Sequence, residues 1–344
     1  MTQIYSAFTL FTSLLVEAMP FLLIGVLLSS SLIFFMDENT LITKLPKNPF
    51  FGAIIGSIFG FFFPVCECGN VPVARQFLLK GLPTSVAISF LLAAPAVNPI
   101  VLWSTYVAFR GQPHIVWLRI TFSLIIAITI GCIFSFQSDP RPLLKPILAK
   151  RLTVLMNINE AEKSCPKQTK VKEYSLLQSG SFILGEEGKT IKMDENLLTT
   201  KNTNNIKISG WQKWDLFINN VQIELRELGG ILILGSAIAA SIQVFVPREI
   251  ILNLGQDTIT SIVAMMILAA VVSICSTVDS FFVLSFASTF TTGSLVAFLV
   301  FGPMIDIKGI GLMLSIFKPK MIIYLTAIAA QLTFIFTLSY SYLF

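Results

Sequence analysis

Residues 61–75 read FFFPVCECGNVPVAR and interrupt an apolar stretch with prolines, a glycine, two cysteines and a glutamate. The prolines and the glycine predict that no regular helix runs through Cys66–Asn70. On a helix, side chains at positions i and i+2 point in different directions, whereas unwound backbone lets Cys66 and Cys68 approach one point. Glu67 lies between them and could take a proton or supply a hard ligand. The stretch therefore predicts a broken helix whose side chains carry chemistry.

The composition around this stretch identifies the class of protein. Of 344 residues, 54% are hydrophobic and 12% are charged, and the mean hydropathy is +0.79. A soluble protein carries about a quarter of its residues as charged ones. The composition therefore excludes a soluble enzyme, a nucleic-acid-binding protein and a disordered scaffold. We expect an all-α polytopic membrane protein that has the lipid bilayer, and no nucleic acid, as its partner.

Eight apolar stretches are long enough to cross about 30 Å of hydrocarbon as helices. They form two groups of four and lie at about 18–35, 50–72, 82–109, 115–136, 228–246, 258–280, 293–316 and 320–342. We therefore expect a first membrane repeat at 1–136, a linker at 137–210 and a second membrane repeat at 211–344. Glu17 and Glu227 are expected in the first turn of the first span of each half, where an acid favours the helix dipole.

The linker at 137–210 contains 12 basic and eight acidic residues and is rich in Asn, Thr and Ser. This composition is typical of a largely disordered segment. Four spans precede the linker and four follow it, so the linker and both termini are expected on one side of the membrane. That side contains 16 basic residues, and the opposite side contains seven. By the positive-inside rule, we expect a multi-pass plasma-membrane protein whose termini and linker are cytoplasmic.

Three sequence landmarks recur in the two halves in the same order. EAMPFLLIG at 17–25 matches ELGGILILG at 227–235 at an offset of 210, CECGN at 66–70 matches CSTVD at 275–279 at 209, and PAVNP at 95–99 matches PMIDI at 303–307 at 208. Internal duplication is common in secondary transporters, whose sites lie at the repeat interface near broken helices. Four spans in each half imply parallel repeats, whereas a re-entrant segment such as 67–80 would make them inverted.

Three cysteines are candidate ligands of a soft ion or a metalloid. Cys275 occupies the place in the second half that Cys66 occupies in the first, so the sulfurs of Cys66, Cys68 and Cys275 could converge across the pseudo-symmetry axis. Thiolates prefer soft acceptors, which makes these three residues the predicted metal ligands. The alternative is that they only pack as small buried side chains, because an isolated C-x-C is not a strong metal motif.

A second pair of breaks, LLAAPAVNPIVL at 91–102 and VFGPMIDIKG at 300–309, brings polar groups into apolar spans. A proline inside a span frees a carbonyl, and ionisable groups there usually mark a pathway or a proton relay. Asp279 and Asp306 are candidates to bind and release a coupling proton or cation, while Lys308 is expected to snorkel or to form an ion pair. The predicted substrate-binding residues are Cys66, Glu67, Cys68, Asn70, Pro95, Asn98, Cys275, Asp279 and Asp306.

Motifs of common enzymes are missing from the sequence. It contains no phosphate-binding glycine loop, no G-x-S-x-G nucleophile elbow and no H-E-x-x-H zinc motif. We therefore expect a protein that is not an enzyme and has no cofactor. Transport driven by ATP would need another subunit.

Three stretches of the chain resemble a known family, the predicted permeases that include the organoarsenical exporters. They are FPVCECGNVPVARQFLLKGLPTSVAISFLLAAPAVNPIVL at 63–102, CSTVDSFFVLSFA at 275–287 and FGPMIDIKG at 301–309. The resemblance covers both membrane halves but not the linker. It implies a plasma-membrane permease of about eight spans, with Cys66, Cys68 and Cys275 at functional positions. Members of this broad group are linked to export of trivalent organoarsenicals or of soft metals.

These observations lead to one principal hypothesis and several rivals. The principal one is a secondary permease that exports a small thiol-reactive solute (an organoarsenical, a metalloid or a soft metal) by ion-coupled alternating access. The rivals are a permease for an organic or sulfur-containing solute with structural cysteines, a membrane thiol-redox protein, and a membrane subunit that does not itself transport. Assembly into a homo-oligomer is left open.

Overall fold

The computed structural model describes residues 2–35, 48–63, 66–135, 144–145, 182–184, 190–192, 210–245 and 257–343. In these residues the chain is almost wholly helical, as expected where lipid cannot satisfy backbone polar groups. One short antiparallel pair of strands, β1 (Phe182–Leu184) and β2 (Thr190–Lys192), lies in the linker. Most of the linker, the segment for which disorder was predicted, lies outside the described residues.

The described residues of the two membrane halves form twelve helices. Those of the first half are α1 (Thr2–Phe35), α2 (Pro49–Phe62), α3 (Glu67–Leu79), α4 (Thr84–Ala96), α5 (Pro99–Ala108) and α6 (His114–Ser135). Those of the second half are α7 (Gly210–Phe245), α8 (Thr258–Val272), α9 (Asp279–Leu284), α10 (Thr292–Met304), α11 (Ile307–Met313) and α12 (Pro319–Leu343). Pro49 and Pro99 each open a helix, where the missing N–H needs no partner.

Six segments of the described chain are long and apolar enough to cross a membrane, against the eight predicted. They are Tyr5–Ser31, Thr84–Ala108, His114–Ser135, Phe217–Ile242, Thr292–Met313 and Pro319–Leu343. Helices α2 and α8 have 14 and 15 residues, and at 1.5 Å per residue each covers only about 20 Å. The predicted spans 50–72 and 258–280 are therefore wrong as straight crossings, because each divides into a helix, a break and a shorter helix.

Helices α1 and α7 lie side by side and run in opposite directions. Near one end of the pair, the Ser29 hydroxyl donates a hydrogen bond to the Glu224 carboxylate (2.9 Å). Near the other end, Leu14 packs with Ala239. As residue numbers rise along α1 they fall along α7, so α1 ends at the end of the bundle where α7 begins. We call that end the linker side and the opposite end the terminus side.

Hydrogen bonds place the helix ends that flank the linker on one side of the bundle. Gln76, near the end of α3, donates to Glu224 (2.8 Å), and Thr84 at the start of α4 donates to the Phe134 carbonyl at the end of α6 (3.5 Å). The start of α1 and the end of α12 lie on the other side. This arrangement does not fit the prediction that both termini and the linker share one side. The physical reason is that each half crosses the bundle three times, not four.

Helices α2 and α3 form a hairpin that enters and leaves the bundle on the linker side. Helix α2 runs parallel to α4, because Gly52 lies against Ser85 and Gly60 lies against Ala94. Helix α3 then returns toward the linker side beside α1. The tip of this first hairpin is at residues 63–66, about halfway along α1, and residues 64–65 of the tip lie outside the described part of the chain.

The close approach of α3 to α1 depends on two glycines. A Cβ placed on Gly25 would lie 2.4 Å from the Gly69 Cα atom, a distance that no real side chain tolerates. The break also lies earlier than predicted, since α3 begins at Glu67 and includes Gly69 and Pro72. Pro72 has no N–H for the Cys68 carbonyl, so the helix continues through the proline with one backbone acceptor free of its helical donor.

Helices α8 and α9 form a second hairpin, which enters from the terminus side. Helix α8 ends at Val272, its C-cap residue Ser273 has a left-handed φ of 48°, and α9 begins at Asp279. The Ser280 hydroxyl lies 3.0 Å from that of Thr105 on α5, the helix that leads to the terminus side. The tip of this second hairpin, residues 273–278, meets the tip of the first hairpin inside the bundle.

Candidate functional site

A narrow recess lies where the tips of the two hairpins meet. Its lining comes from α1, from both hairpins and from α11, and consists of Glu17, Ala18, Phe21, Cys66, Glu67, Cys68, Cys275 and Lys308. Both halves of the chain therefore build it. Irregular backbone in the interior of a membrane protein is tolerated where it is buried or lines a cavity, which is the position of both hairpin tips.

Three sulfurs come together in this recess. Cys66 is the N-cap residue of α3 with extended backbone (ψ 176°), and Cys68 lies in the first turn of the same helix. Cys66 and Cys68 of the first hairpin and Cys275 of the second all line the recess, so the sulfur-bearing residues of the two hairpins lie next to one another. All three residues are buried, and the Thr277 hydroxyl donates to the Cys275 sulfur (3.5 Å). The sequence reasoning expected this convergence, although the break that allows it is shorter than predicted.

The three cysteines do not form a ready metal site. Within the described ranges, no group of three or more His, Cys, Asp or Glu side chains is arranged to hold a metal ion. The prediction that Cys66, Cys68 and Cys275 bind a soft ion or a metalloid stays a prediction.

Charged side chains surround the sulfurs. Glu67 is buried and its Oε2 atom has no hydrogen-bond partner, while Lys308 is only 2% exposed. The charges of Glu67 and Asp306 both act on the Lys308 ammonium, and that of Glu17 acts on it more weakly. The expectation that Lys308 snorkels to an interface is wrong, because its ammonium is buried among carboxylates.

Glu17 reaches the recess because α1 begins at Thr2 and not at the glutamate. The prediction that Glu17 and Glu227 open their helices is wrong, since α1 and α7 each extend more than a dozen residues before them. The uncharged start of the chain is apolar enough to continue the helix. Glu17 is therefore a recess residue that the sequence reasoning missed.

Asn98 and Asp306, predicted as substrate-binding residues, both act as helix caps. The Asn98 Oδ1 atom accepts a hydrogen bond from the Val101 N–H (2.8 Å), and the Asp306 Oδ1 atom accepts one from the Gly309 N–H (2.7 Å). Each cap restarts a helix after a break within a span. Asp306 has a second oxygen, Oδ2, that is buried without a partner, so it retains acceptor capacity next to Lys308.

Asp279, predicted to bind a coupling ion, is held in a buried ion pair with Arg119. The Arg119 Nη2 atom donates to the Asp279 Oδ2 atom (2.7 Å) and Nη1 donates to Oδ1 (3.1 Å), which is a bidentate pair. Nη1 also donates to the hydroxyls of Thr105 (2.9 Å) and Ser280 (3.0 Å). Arg119 is fully buried, and it ties α6 of the first half to α9 of the second.

Asn70 and Pro95, like Asn98, Asp279 and Asp306, are predicted site residues that do not line the recess. Asn70 is fully buried one turn after Glu67, and neither of its amide atoms has a hydrogen-bond partner. Pro95 lies inside α4 and deprives the Leu91 carbonyl of its helical donor. The sequence reasoning also missed Arg119, which it counted among the loop charges. The signal was present, because Arg119 lies inside the predicted span 115–136.

The fold and the recess define a class: a multi-pass membrane protein whose interrupted helices meet at a buried polar site. The chain belongs to the predicted permease family, whose model matches residues 3–342. The expected family is thereby confirmed, and so is the coarser prediction of a membrane permease. No solved structure matches the chain.

Two relatives align along almost the whole chain. UPF0718 protein YcgR of Bacillus subtilis is 36% identical over 317 residues, which are 92% of this chain and 90% of that protein. A Streptococcus mutans protein, provisionally named a subunit of a two-component membrane permease complex, is 32% identical over 337 residues, which are 98% of this chain and 95% of that protein.

Proposed function

We propose that this permease is a secondary carrier that exports a small thiol-reactive solute, such as an organoarsenical, a metalloid or a soft metal ion, by ion-coupled alternating access. The observation that carries the proposal is the meeting of three buried cysteines, Cys66, Cys68 and Cys275, in the lining of one recess. Thiols of this kind are the preferred ligands of soft acceptors. A recess that opened by separating the hairpin tips would present these sulfurs to a solute.

The chemistry of such binding is a balanced exchange. A trivalent organoarsenical with two hydroxyl groups gives up each of them for one cysteine sulfur, and each hydroxyl leaves as water with the proton of that thiol. Two As–O bonds break and two As–S bonds form, so no oxidant or reductant is needed and the step is reversible. The exchange is neutral overall, so Glu67, which borders the sulfurs, would take up each thiol proton only briefly and pass it to the leaving hydroxyl, while Lys308 would stabilise the transient thiolate.

We propose further that the two halves are inverted repeats. The proposal rests on the landmarks Glu17 and Glu227, which lie at matching positions of α1 and α7, two helices that run antiparallel. It also rests on the two hairpins, which enter from opposite sides and meet at Cys66 and Cys275. Inverted repeats around a midplane site are a common architecture for alternating access, in which one unit rocks against the other.

The orientation that we propose has the linker in the cytoplasm and both termini outside. Among the described residues outside the linker, six basic residues lie on the linker side: Arg75, Lys80, Lys213, Arg226, Lys318 and Lys320. In the same part of the chain, Arg110 lies on the terminus side, while Arg119 and Lys308 are buried inside the bundle. Six against one favours a cytoplasmic linker side by the positive-inside rule.

A pair of reporter fusions tests this orientation. We expect alkaline phosphatase, which is active only outside the cytoplasm, to be active when fused after Phe344 and inactive when inserted in the linker. Green fluorescent protein at the same two positions is expected to give the reverse pattern. A fluorescent C-terminal fusion would overturn the proposed orientation.

Flux across a panel of solutes tests the function itself. The chain is reconstituted in liposomes, and also studied in membrane vesicles that retain any second protein component. We expect protein-dependent flux of phenylarsine oxide, antimonite or cadmium ion and none of benzoate, an organic anion that does not react with thiols. Flux of benzoate without flux of the metalloids would favour the rival permease with structural cysteines. A trapped mixed disulfide at Cys66 without any flux would favour a thiol-redox protein.

A further inference from the structure

A second buried carboxylate lies apart from the recess, at the interface of the two halves. Glu224 is on α7, within the candidate span Phe217–Ile242, and is only 5% exposed. Its two oxygens accept hydrogen bonds from neutral donors on two other helices: Ser29 of α1 donates to Oε2 (2.9 Å) and Gln76 of α3 donates to Oε1 (2.8 Å). An ionisable side chain inside a span is costly and usually functional.

The charged side chains near Glu224 form a salt bridge with each other. Those that act on it are Arg75 of α3 and Glu227, one turn further along α7. Arg75 forms a salt bridge with Glu227 (3.0 Å), whose side chain is 43% exposed. Helix α1 contributes the uncharged Ser29 and Ser30. In the described part of the chain, Glu224 has no salt bridge of its own, so a proton can bind there without breaking an ion pair.

The hydrogen bonds around Glu224 can accommodate a proton. The Ser29 hydroxyl has a second acceptor within reach, the Pro72 carbonyl, at 3.4 Å. When Glu224 is ionised, the hydroxyl donates to its carboxylate. When Oε2 carries a proton, Oε2 donates to the Ser29 oxygen and the Ser29 hydroxyl turns to the Pro72 carbonyl. Gln76 donates to Oε1 in both states, so no buried polar atom is left unpaired.

The surroundings of Glu224 suit a proton better than a metal cation. A sodium or other hard cation needs several oxygen ligands around it. One carboxylate oxygen of Glu224 is occupied by an N–H donor from Gln76, and the described acidic, histidine and cysteine side chains provide no group arranged to hold a metal ion. The Ser29 hydroxyl, by contrast, can donate or accept, which is what a proton site requires.

Glu224 also connects α7 to α3, the helix that has Cys66 as its N-cap and Cys68 in its first turn. Gln76 lies on α3 two turns beyond Cys68, and Ser29 contacts both Glu224 and α3. We propose that Glu224 is the site at which the permease binds its coupling proton, with Ser29 and Gln76 as its hydrogen-bonding partners. The role in coupling rests on the proposed transport function. A change of proton occupancy alters the bonds by which α7 holds the first hairpin.

Infrared spectroscopy of the purified protein tests the proton site without any solute. We expect the wild type to show a protonated buried carboxyl band whose intensity changes with pH. Glu224→Gln should lose this band, and Asp215→Asn, the matched control at an exposed carboxylate of the same helix, should keep it. Glutamine retains the shape and an acceptor oxygen, so the variant is expected to fold. A wild-type spectrum without a titrating band at Glu224 would overturn the proposal.

Transport assays separate the coupling role from the function of the carrier. Counterflow of labelled against unlabelled phenylarsine oxide needs no net proton movement, whereas net flux driven by a pH gradient does. We expect Glu224→Gln to retain counterflow and to lose the response to the pH gradient, while the control Asp215→Asn retains both. Net flux of Glu224→Gln that still follows the gradient would overturn the coupling role. Absence of counterflow in the wild type would reject the proposed function and leave the infrared result to decide the proton site.

Discussion

Arg119→Met is expected to lower the free energy of unfolding by about 3–5 kcal/mol, the usual cost of removing one partner from a buried ion pair. The variant leaves the Asp279 carboxylate 2% exposed with no counter-charge. It also deprives the hydroxyls of Thr105 and Ser280 of a shared donor. Because these contacts join α6 and α5 to α9, we expect the second hairpin to detach before the rest of the bundle.

The measurement is thermal unfolding of the detergent-purified protein, read from its apparent melting temperature. Arg110→Met, a change in an exposed position of the loop before α6, is the matched control and should melt like the wild type. A double variant, Arg119→Met with Asp279→Leu, removes both charges and should recover much of the loss, since apolar replacement of a whole buried pair is often neutral. An Arg119→Met protein as stable as the Arg110→Met control would contradict the role of the pair.

Cys66→Ser combined with Cys68→Ser is expected to abolish transport while leaving the protein folded in the membrane. Serine has nearly the size of cysteine, but its hydroxyl is a hard ligand that does not bind soft acceptors. The two substitutions remove the sulfurs of the first hairpin and leave Cys275 alone in the recess. Flux of phenylarsine oxide should therefore fall to the level of protein-free liposomes, whereas the melting temperature should change little.

Two further variants make this result specific. Cys132→Ser changes a thiol on α6 that is partly exposed and outside the recess, and it should transport like the wild type. Cys275→Ser removes the one sulfur of the second hairpin and should reduce flux, because the solute would lose its ligand from the second half. Normal flux in the double variant would mean that the cysteines only pack, even if the chain is a permease.

The membrane class, the interruptions and the three cysteines could be predicted from the sequence because each leaves a local signal. Composition alone excludes a soluble fold, and prolines next to polar residues mark Asn98 and Asp306, which cap helices after a break. The shared landmarks of the two halves led to the expectation that Cys66, Cys68 and Cys275 converge. The structure brings these residues together, while their role in binding stays a prediction.

The number and the direction of crossings could not be read from hydropathy. An apolar stretch of about 20 residues reads the same whether it crosses in one helix or turns back at its middle, as residues 50–72 and 258–280 do. Arg119 lies inside the predicted span 115–136 and could have been recognised as a buried charge, but its partner Asp279 is far away in the chain. Glu224 lies before the predicted span 228–246, and its partners Ser29 and Gln76 are equally distant in sequence.

The meeting of two oppositely inserted hairpins has a thermodynamic consequence. The tip of the first hairpin lies about halfway along α1, so under the proposed function a solute bound between the tips would lie near the middle of the bundle. A site placed in this way would set no preferred direction, and the sign of the driving gradient would decide whether the cell is cleared or loaded. By microscopic reversibility, such a carrier would detoxify only while its driving gradient is maintained.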